Sequence, residues 1–150
     1  MIERLFLLDT NIVLTLVRGN VLATFIDSKF GLRASKVRPM ISVVTHGEVR
    51  VLAGRNDWGE EKLAALQNAL NNLVTVDINH PDVLNAYVKI DIYSQIHADG
   101  ARNMGKNDLW IAACAKAAGA TLLTTDKDFD HLNETMLSVK YINPESAKSS

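Results

Sequence analysis

The chain has 150 residues, 47% of them hydrophobic and 22% charged, which fits one compact domain with its own core. Its 16 basic and 17 acidic residues give a net charge of -1, which excludes a polycation that holds nucleic acid through its overall field. The single cysteine, Cys114, excludes a disulfide framework and is expected to be a small buried hydrophobe. Since no apolar run resembles a signal peptide or a membrane span, we expect a cytoplasmic protein.

Predicted strands and helices alternate along the chain. Residues 5–8 form a continuous apolar run, typical of a strand buried on both faces, and 12–17 are then helical. Residues 19–38 combine a helical pattern with a basic loop. Further strands are predicted over 40–43, 73–78, 121–124 and 139–142, and further helices over 44–53, 60–72, 81–97 and 108–118, with a short helix around 129.

This alternation predicts an α/β fold, because parallel strands need crossover connections and helices then cover the sheet on both sides. We expect a three-layer α/β/α sandwich with a mainly parallel sheet of four to five strands. One domain covers 1–150, and its polar tail is expected to fray after about residue 144. Asn107 is expected to cap the helix over 108–118, which Gly119 ends.

Two aspartates directly follow predicted strands. Asp9 comes after 5–8 and Asp126 after 121–125, and ligands of open α/β sheets bind beyond the carboxyl ends of the strands. If these two strands are neighbours, the two carboxylates meet across a crevice. The alternative is that each aspartate is only a helix N-cap, a position that aspartate favours.

Glu48 lies in a predicted helix within an apolar stripe. Helical spacing places Val44, Val51 and Leu52 beside it, and Gly47 leaves space next to it. A glutamate in such a stripe indicates a function, because glutamate is rarely buried. The alternative is a glutamate at the rim of the stripe that points to water or pairs with a nearby arginine.

Asp108 begins a helix that is apolar almost all round, which indicates a central helix whose first turn lies at the crevice. The alternative role for this aspartate is a favourable interaction with the helix dipole, and it is compatible with metal binding. Four carboxylates at one sheet edge require a counter-charge, and oxygen ligands favour Mg²⁺. Zinc would need a histidine or cysteine cluster, and the four histidines, expected at surface or capping positions, lack that spacing: His46, His80, His97 and His131.

Four segments together resemble the PIN domain, and specifically its VapC-like toxin ribonucleases. They are LDTN from residue 8, Glu48, GKNDLWIAA from residue 105 and LTTDKDF from residue 123. The resemblance implies that Asp9 and Asp108 are the principal metal ligands. It implies supporting members of the site at Glu48, Asp126, the less certain Asp128, and the hydroxyls of Thr10 and Thr125.

The resemblance also implies a Mg²⁺- or Mn²⁺-dependent endoribonuclease that forms homodimers and is silenced by a cognate antitoxin. RNA must then be held by local cations, of which Lys106 and Lys127 flank the acids and Arg50 lies near Glu48. The basic loop over 31–38 is a further candidate for RNA or partner contact. Each cation can also be a solvated surface charge: Lys29, Arg33, Lys36, Arg50, Arg55, Arg102, Lys106 and Lys127.

Other readings of the acidic pattern remain. A phosphatase of the haloacid dehalogenase type needs a second aspartate two residues after the first, where this chain has Asn11. A phospho-accepting receiver domain needs an acidic pair near the first strand, and none accompanies Asp9. A non-catalytic PIN-like domain that binds RNA or protein, and a structure-selective DNA nuclease, are the closer alternatives.

Overall fold

The computed structural model describes residues 4–97 and 99–148. None of the helices in these ranges combines the length and apolar character needed to cross a bilayer. The strands are β1 (Phe6–Leu8), β2 (Met40–Ser42), β3 (Val74–Val76), β4 (Thr121–Thr124) and β5 (Val139–Tyr141). The helices are α1 (Thr10–Arg18), α2 (Val21–Phe30), α3 (Val43–Arg55), α4 (Glu60–Asn71), α5 (Pro81–Gln95) and α6 (Lys106–Ala118), with 3-10 helices at Lys127–Leu132 and Ser146–Lys148.

The five strands form one sheet in the order β3-β2-β1-β4-β5, and every pairing is parallel. Strand β1 lies at the centre, where Leu7 pairs with Met40 of β2 and Leu8 pairs with Leu123 of β4. The chain order reverses between β1 and β4, so their carboxyl ends flank the crevice where open α/β sheets bind ligands. The expected α/β class and the pairing of the two aspartate-bearing strands are confirmed.

Each face of the sheet carries its own core, which confirms the expected three layers. Leu7 and Leu122 point to one face and pack against α5 and α6. Their neighbours Phe6, Leu8 and Leu123 point to the other face and pack among α1, α2, α3 and α4. This alternation explains the continuous apolar runs, because successive strand residues point to opposite faces and here both faces are buried.

Most predicted boundaries differ from the observed ones by one or two residues, and three of the differences have a local cause. Helix α6 begins at Lys106 with Gly105 as its N-cap, so Asn107 is its second residue and does not cap it. Helix α3 begins at Val43, because the Ser42 hydroxyl accepts a hydrogen bond from the Val44 amide at 3.1 Å and ends β2 earlier. Strand β3 is limited to Val74–Val76, since an edge strand has only one partner to continue the ladder.

The tail beyond residue 144 was expected to fray, and this was wrong as far as the structure describes it. Residues Ser146–Lys148 form a 3-10 turn that packs against α2, and Ala147 is buried. The polar composition of the segment concealed the one apolar side chain that anchors it. Cys114 is fully buried, with its sulfur 3.4 Å from the Ser42 hydroxyl, which confirms its expected role as a small core residue.

Candidate functional site

Asp9 joins the first strand to the first helix. It is the N-cap of α1, where one carboxylate oxygen accepts a hydrogen bond from the Thr10 amide at 2.8 Å. The other oxygen accepts a hydrogen bond from the Thr124 hydroxyl on β4 at 2.7 Å. Asp9 is only 4% exposed. It is therefore a helix cap whose carboxylate is also fixed at the boundary between β1 and β4, so the two interpretations of this residue are compatible.

Thr124 carries the orienting hydroxyl that the sequence analysis assigned to Thr125. The Thr124 side chain is fully buried and donates to Asp9, and it accepts a hydrogen bond from the Asp126 amide at 2.9 Å. Across the described part of the chain, none of the identified hydrogen bonds uses the Thr125 hydroxyl. The prediction of Thr125 was wrong because side chains alternate along a strand, and the register with β1 decides which of two adjacent threonines faces Asp9.

Glu48 lies on α3 and faces α1. The Thr10 hydroxyl donates a hydrogen bond to its Oε1 at 2.6 Å, and the buried Thr45 hydroxyl lies 3.1 Å from that of Thr10. The predicted support by Thr10 therefore acts on Glu48, a contact that sequence spacing did not indicate. Within the described residues no ion pair joins Glu48 to an arginine, and the space beside Gly47 is open as expected.

Three aspartates come together on the other side of the crevice. Asp108 lies in the first turn of α6, and Asp126 is the N-cap of the following 3-10 helix, where its Oδ1 accepts a hydrogen bond from the Asp128 amide at 2.8 Å. Carboxylate oxygens of Asp108, Asp126 and Asp128 all lie within 4.8 Å of one another. Asp128, the least certain member from the sequence, belongs to this group and is its exposed member.

The concentration of negative charge changes the protonation of the site. Burial, followed by the charges of Asp9, Asp126, Glu48 and Asp128, raises the pKa of Asp108 to about 6. Burial also raises the pKa of Asp9, although hydrogen bonds from Thr124 and the Thr10 amide oppose that shift. Since no lysine or arginine of the described residues forms an ion pair with these acids, a bound cation would supply the missing positive charge.

Four of the acids, Asp9, Glu48, Asp108 and Asp126, line an open cleft of about 650 Å³. Asn11 and Asn107 add amide groups at its edge, and the α3 side chains Val44, Val51 and Leu52 form an apolar wall. These donors are all oxygen or amide groups. The set fits a hard cation such as Mg²⁺ better than zinc, which binds histidine and thiolate ligands.

The predicted RNA-binding cations take different positions. Arg55 lines the acidic cleft, whereas Arg50 lines a separate groove between α3 and α4 and does not face the acids. Lys106 is exposed at the start of α6, and the Lys127 ammonium lies 5.5 Å from the centre of the Tyr141 ring. The basic loop over 31–38 precedes β2, so it lies at the amino ends of the parallel strands, opposite the acids.

The histidines do not join the acidic cleft. His80 caps α5 by accepting a hydrogen bond from the Asp82 amide at 3.1 Å, as expected for a capping residue. His131 instead forms a contact that the sequence did not indicate: its Nε2 lies 2.8 Å from the buried Ser94 hydroxyl of α5. Burial is the main cause that lowers the pKa of His131. This contact ties the 3-10 helix that carries Asp128 to α5.

The sequence matches a model of a known protein family. The model described as the PIN domain matches residues 6–134, which is most of the chain and includes all five acids. The chain belongs to the PIN domain family. The search of curated proteins found no match.

Solved structures with the same fold as this PIN domain come from several bacteria. A VapBC2 structure from Rickettsia felis, bound to a DNA fragment from its promoter, has a TM-score of 0.73 and 21% identity over 91% of this chain and 98% of the other. DNA-bound VapBC from Salmonella typhimurium has a TM-score of 0.72 and 21% identity, and the match covers 92% of this chain and 98% of the other. VapBC-1 from nontypeable Haemophilus influenzae has a TM-score of 0.63 and 23% identity over 91% and 97%.

Proposed function

We propose that this PIN domain is a metal-dependent endoribonuclease and the toxin of a toxin–antitoxin pair. The observation that carries the proposal is the convergence of four carboxylates from four separate parts of the chain on one open cleft, with Asp128 beside two of them. They come from the end of β1, from α3, from α6 and from the segment after β4. Burial is the main cause that raises the pKa of Asp9 and of Asp108, and the neighbouring carboxylates add to it, so a bound cation would relieve both costs.

Asp9 and Asp108 would hold a Mg²⁺ or Mn²⁺ ion, with Glu48, Asp126 and Asp128 completing the acidic shell. When bound, such an ion lowers the pKa of a water molecule and stabilises charge on a phosphodiester. The protein keeps the carboxylates in place before the ion binds. Thr124 fixes Asp9, and Thr10 fixes Glu48, so the acids keep their positions despite mutual repulsion.

RNA is the proposed substrate because the four segments resemble VapC-like toxin ribonucleases, and the acidic cleft suits the hydrolysis of a phosphodiester. The cleft is open to solvent along α3, and its wall carries apolar side chains that can contact a ribose or a base. A phosphatase mechanism would need a general acid where Asn11 stands. A non-catalytic binding domain would not need five acids at one sheet edge. A DNA nuclease would share the acids, and it is separated from a ribonuclease by testing whether RNA or DNA is cleaved.

The toxin assignment rests on fold similarity to complexes named VapBC and to a structure named a toxin–antitoxin complex from Klebsiella pneumoniae. We infer that this chain also acts in the cytoplasm, forms a homodimer and is silenced by a cognate antitoxin. Co-expression with a neighbouring antitoxin gene tests the regulation, because a true pair restores growth that the toxin alone arrests.

The activity is tested with purified protein, a single-stranded RNA oligonucleotide and a DNA oligonucleotide of the same sequence. We expect cleavage of the RNA with Mg²⁺ or Mn²⁺, and complete loss in excess chelator with recovery when the metal is restored. RNA that stays intact under all metal conditions would contradict the proposed activity. Cleavage of the DNA alone would instead favour the DNA nuclease.

Thr124→Val should reduce RNA cleavage by about 10- to 100-fold, the range for loss of a group that orients a metal ligand. The substitution keeps the shape of the side chain and removes both its donor to Asp9 and its acceptor for the Asp126 amide. The matched control is Thr125→Val, which changes the adjacent residue in the same way and should retain most activity. Equal losses in the two variants would contradict the assigned role of Thr124.

A further inference from the structure

Two arginines of α3 line different cavities. Arg55 follows Glu48 by seven positions, which is close to two helical turns, so it lies on the same face of α3 as Glu48, Val51 and Leu52. All four line the acidic cleft. Arg50 is only two positions from Glu48 and lines the groove between α3 and α4. Helix geometry therefore brings Arg55, and not Arg50, to the cleft.

Arg55 is the one cationic side chain among the described residues that line this cleft. Its guanidinium takes part in none of the ion pairs found across the described ranges, although four acids share the cleft with it. A surface arginine could serve only to complement the carboxyl end of α3, where it lies in the last turn. Arg55 is also exposed and lies beside the acidic cleft, so its guanidinium is accessible to a phosphate of the substrate.

We propose that Arg55 binds an RNA backbone phosphate next to the scissile one, which makes it a substrate-positioning residue of the cleft; this inference rests on the proposed ribonuclease function. Seven residues of helix correspond to a rise of about 10.5 Å. This offset along α3 places Arg55 away from the acids but on the same cleft, where a phosphate next to the scissile one would lie. Its planar fork of donors suits two oxygens of one phosphate.

The wall between Arg55 and the acids indicates contact with the RNA chain and little reading of its bases. Val51 is 57% exposed and lies beside Leu52 in the cleft. These side chains can contact a ribose or one face of a base, but they offer neither hydrogen bonds nor aromatic stacking for base recognition. Arg55 should therefore support RNA of any sequence to a similar extent.

The test measures steady-state cleavage of RNA oligonucleotides by Arg55→Gln and Arg18→Gln at several salt concentrations. Arg18 lies in the last turn of α1, so its substitution removes the same charge from a helix end away from the cleft. We expect Arg55→Gln to raise KM about tenfold, the effect of one lost charge-assisted hydrogen bond, with little change in kcat. The logarithmic salt dependence of kcat/KM should become shallower by about 0.7, as for one lost phosphate contact on a single strand.

Arg55→Lys keeps the charge, so its KM should lie between those of the parent and Arg55→Gln. Lysine binds phosphate as a point charge without the planar fork of arginine. Thermal stabilisation by Mn²⁺ should be the same in Arg55→Gln and the parent, which separates substrate positioning from damage to the metal site. If the parent cleaves RNA and Arg55→Gln matches it in KM and salt dependence, or if Arg18→Gln is impaired as much as Arg55→Gln, this inference is overturned. If the parent does not cleave RNA, the proposed function fails and this inference fails with it.

Discussion

Asp9→Asn and Asp108→Asn should each lower RNA cleavage by about 100-fold or more. Loss of an outer group that orients a metal ligand costs about 10- to 100-fold, and loss of a ligand itself should cost at least as much. Both substitutions keep the shape of the side chain and remove its charge. In Asp9→Asn the amide oxygen can still accept one of the two hydrogen bonds, from Thr10 or from Thr124, so the fold should be retained.

The measurement is the initial rate of RNA cleavage at saturating Mn²⁺, with folding checked by circular dichroism. Asp99→Asn is the matched control, because it makes the same change at an exposed aspartate outside the cleft and should cut like the parent. A parental rate in either Asp9→Asn or Asp108→Asn would show that the residue is not a ligand, and a loss in Asp99→Asn would show that the assay responds to charge alone.

Asp108→Asn should also make the metal-free protein more stable at neutral pH, while it removes activity. The carboxyl of Asp108 has a pKa of about 6 in the folded protein and 3.8 as its reference value in the unfolded chain. The folded protein therefore binds this proton more readily than the unfolded chain does. The charged carboxylate destabilises the fold, and this cost is fully present above about pH 6, declines as the pH falls through 6, and is absent below about 3.8.

The stability prediction is measured by urea unfolding in chelator at pH 7.5 and pH 5.0. The advantage of Asp108→Asn over the parent should be largest at pH 7.5 and smaller at pH 5.0, where Asp108 of the parent is mostly protonated. Other groups, such as His131, titrate in both proteins, so the difference between the two proteins isolates Asp108. A variant less stable than the parent at pH 7.5, or an advantage that grows toward pH 5.0, would contradict the raised pKa.

Addition of Mn²⁺ should reverse the order of stability. A ligand that binds only the folded state stabilises it by mass action, so the parent should gain stability with metal concentration. Asp108→Asn should gain much less, because it lacks one ligand. The same substitution thus separates two effects of the Asp108 carboxylate. It should lower the stability of the metal-free protein and raise the stability of the metal-bound protein.

The sequence alone determined the architecture and the positions of the acids. Continuous apolar runs that alternate with helical segments left a parallel, helix-covered sheet as the consistent arrangement, and the carboxyl ends of such strands share one edge. Asp9 and Asp126 were therefore expected at that edge, and the pairing of β1 with β4 in the structure placed their strands side by side. Glu48 was indicated by the conflict between its charge and the apolar stripe around it.

Only the tertiary structure decided which neighbours serve those acids. The choice between Thr124 and Thr125 depends on the register of β4 against β1, because adjacent strand residues face opposite sides. Helical spacing places Arg55 on the same face of α3 as Glu48, but only the packing of α3 against α1 shows that this face, and not the face of Arg50, lines the acidic cleft. Sequence patterns record the period of an element, whereas its rotation and register are set by long-range packing between segments far apart in the chain.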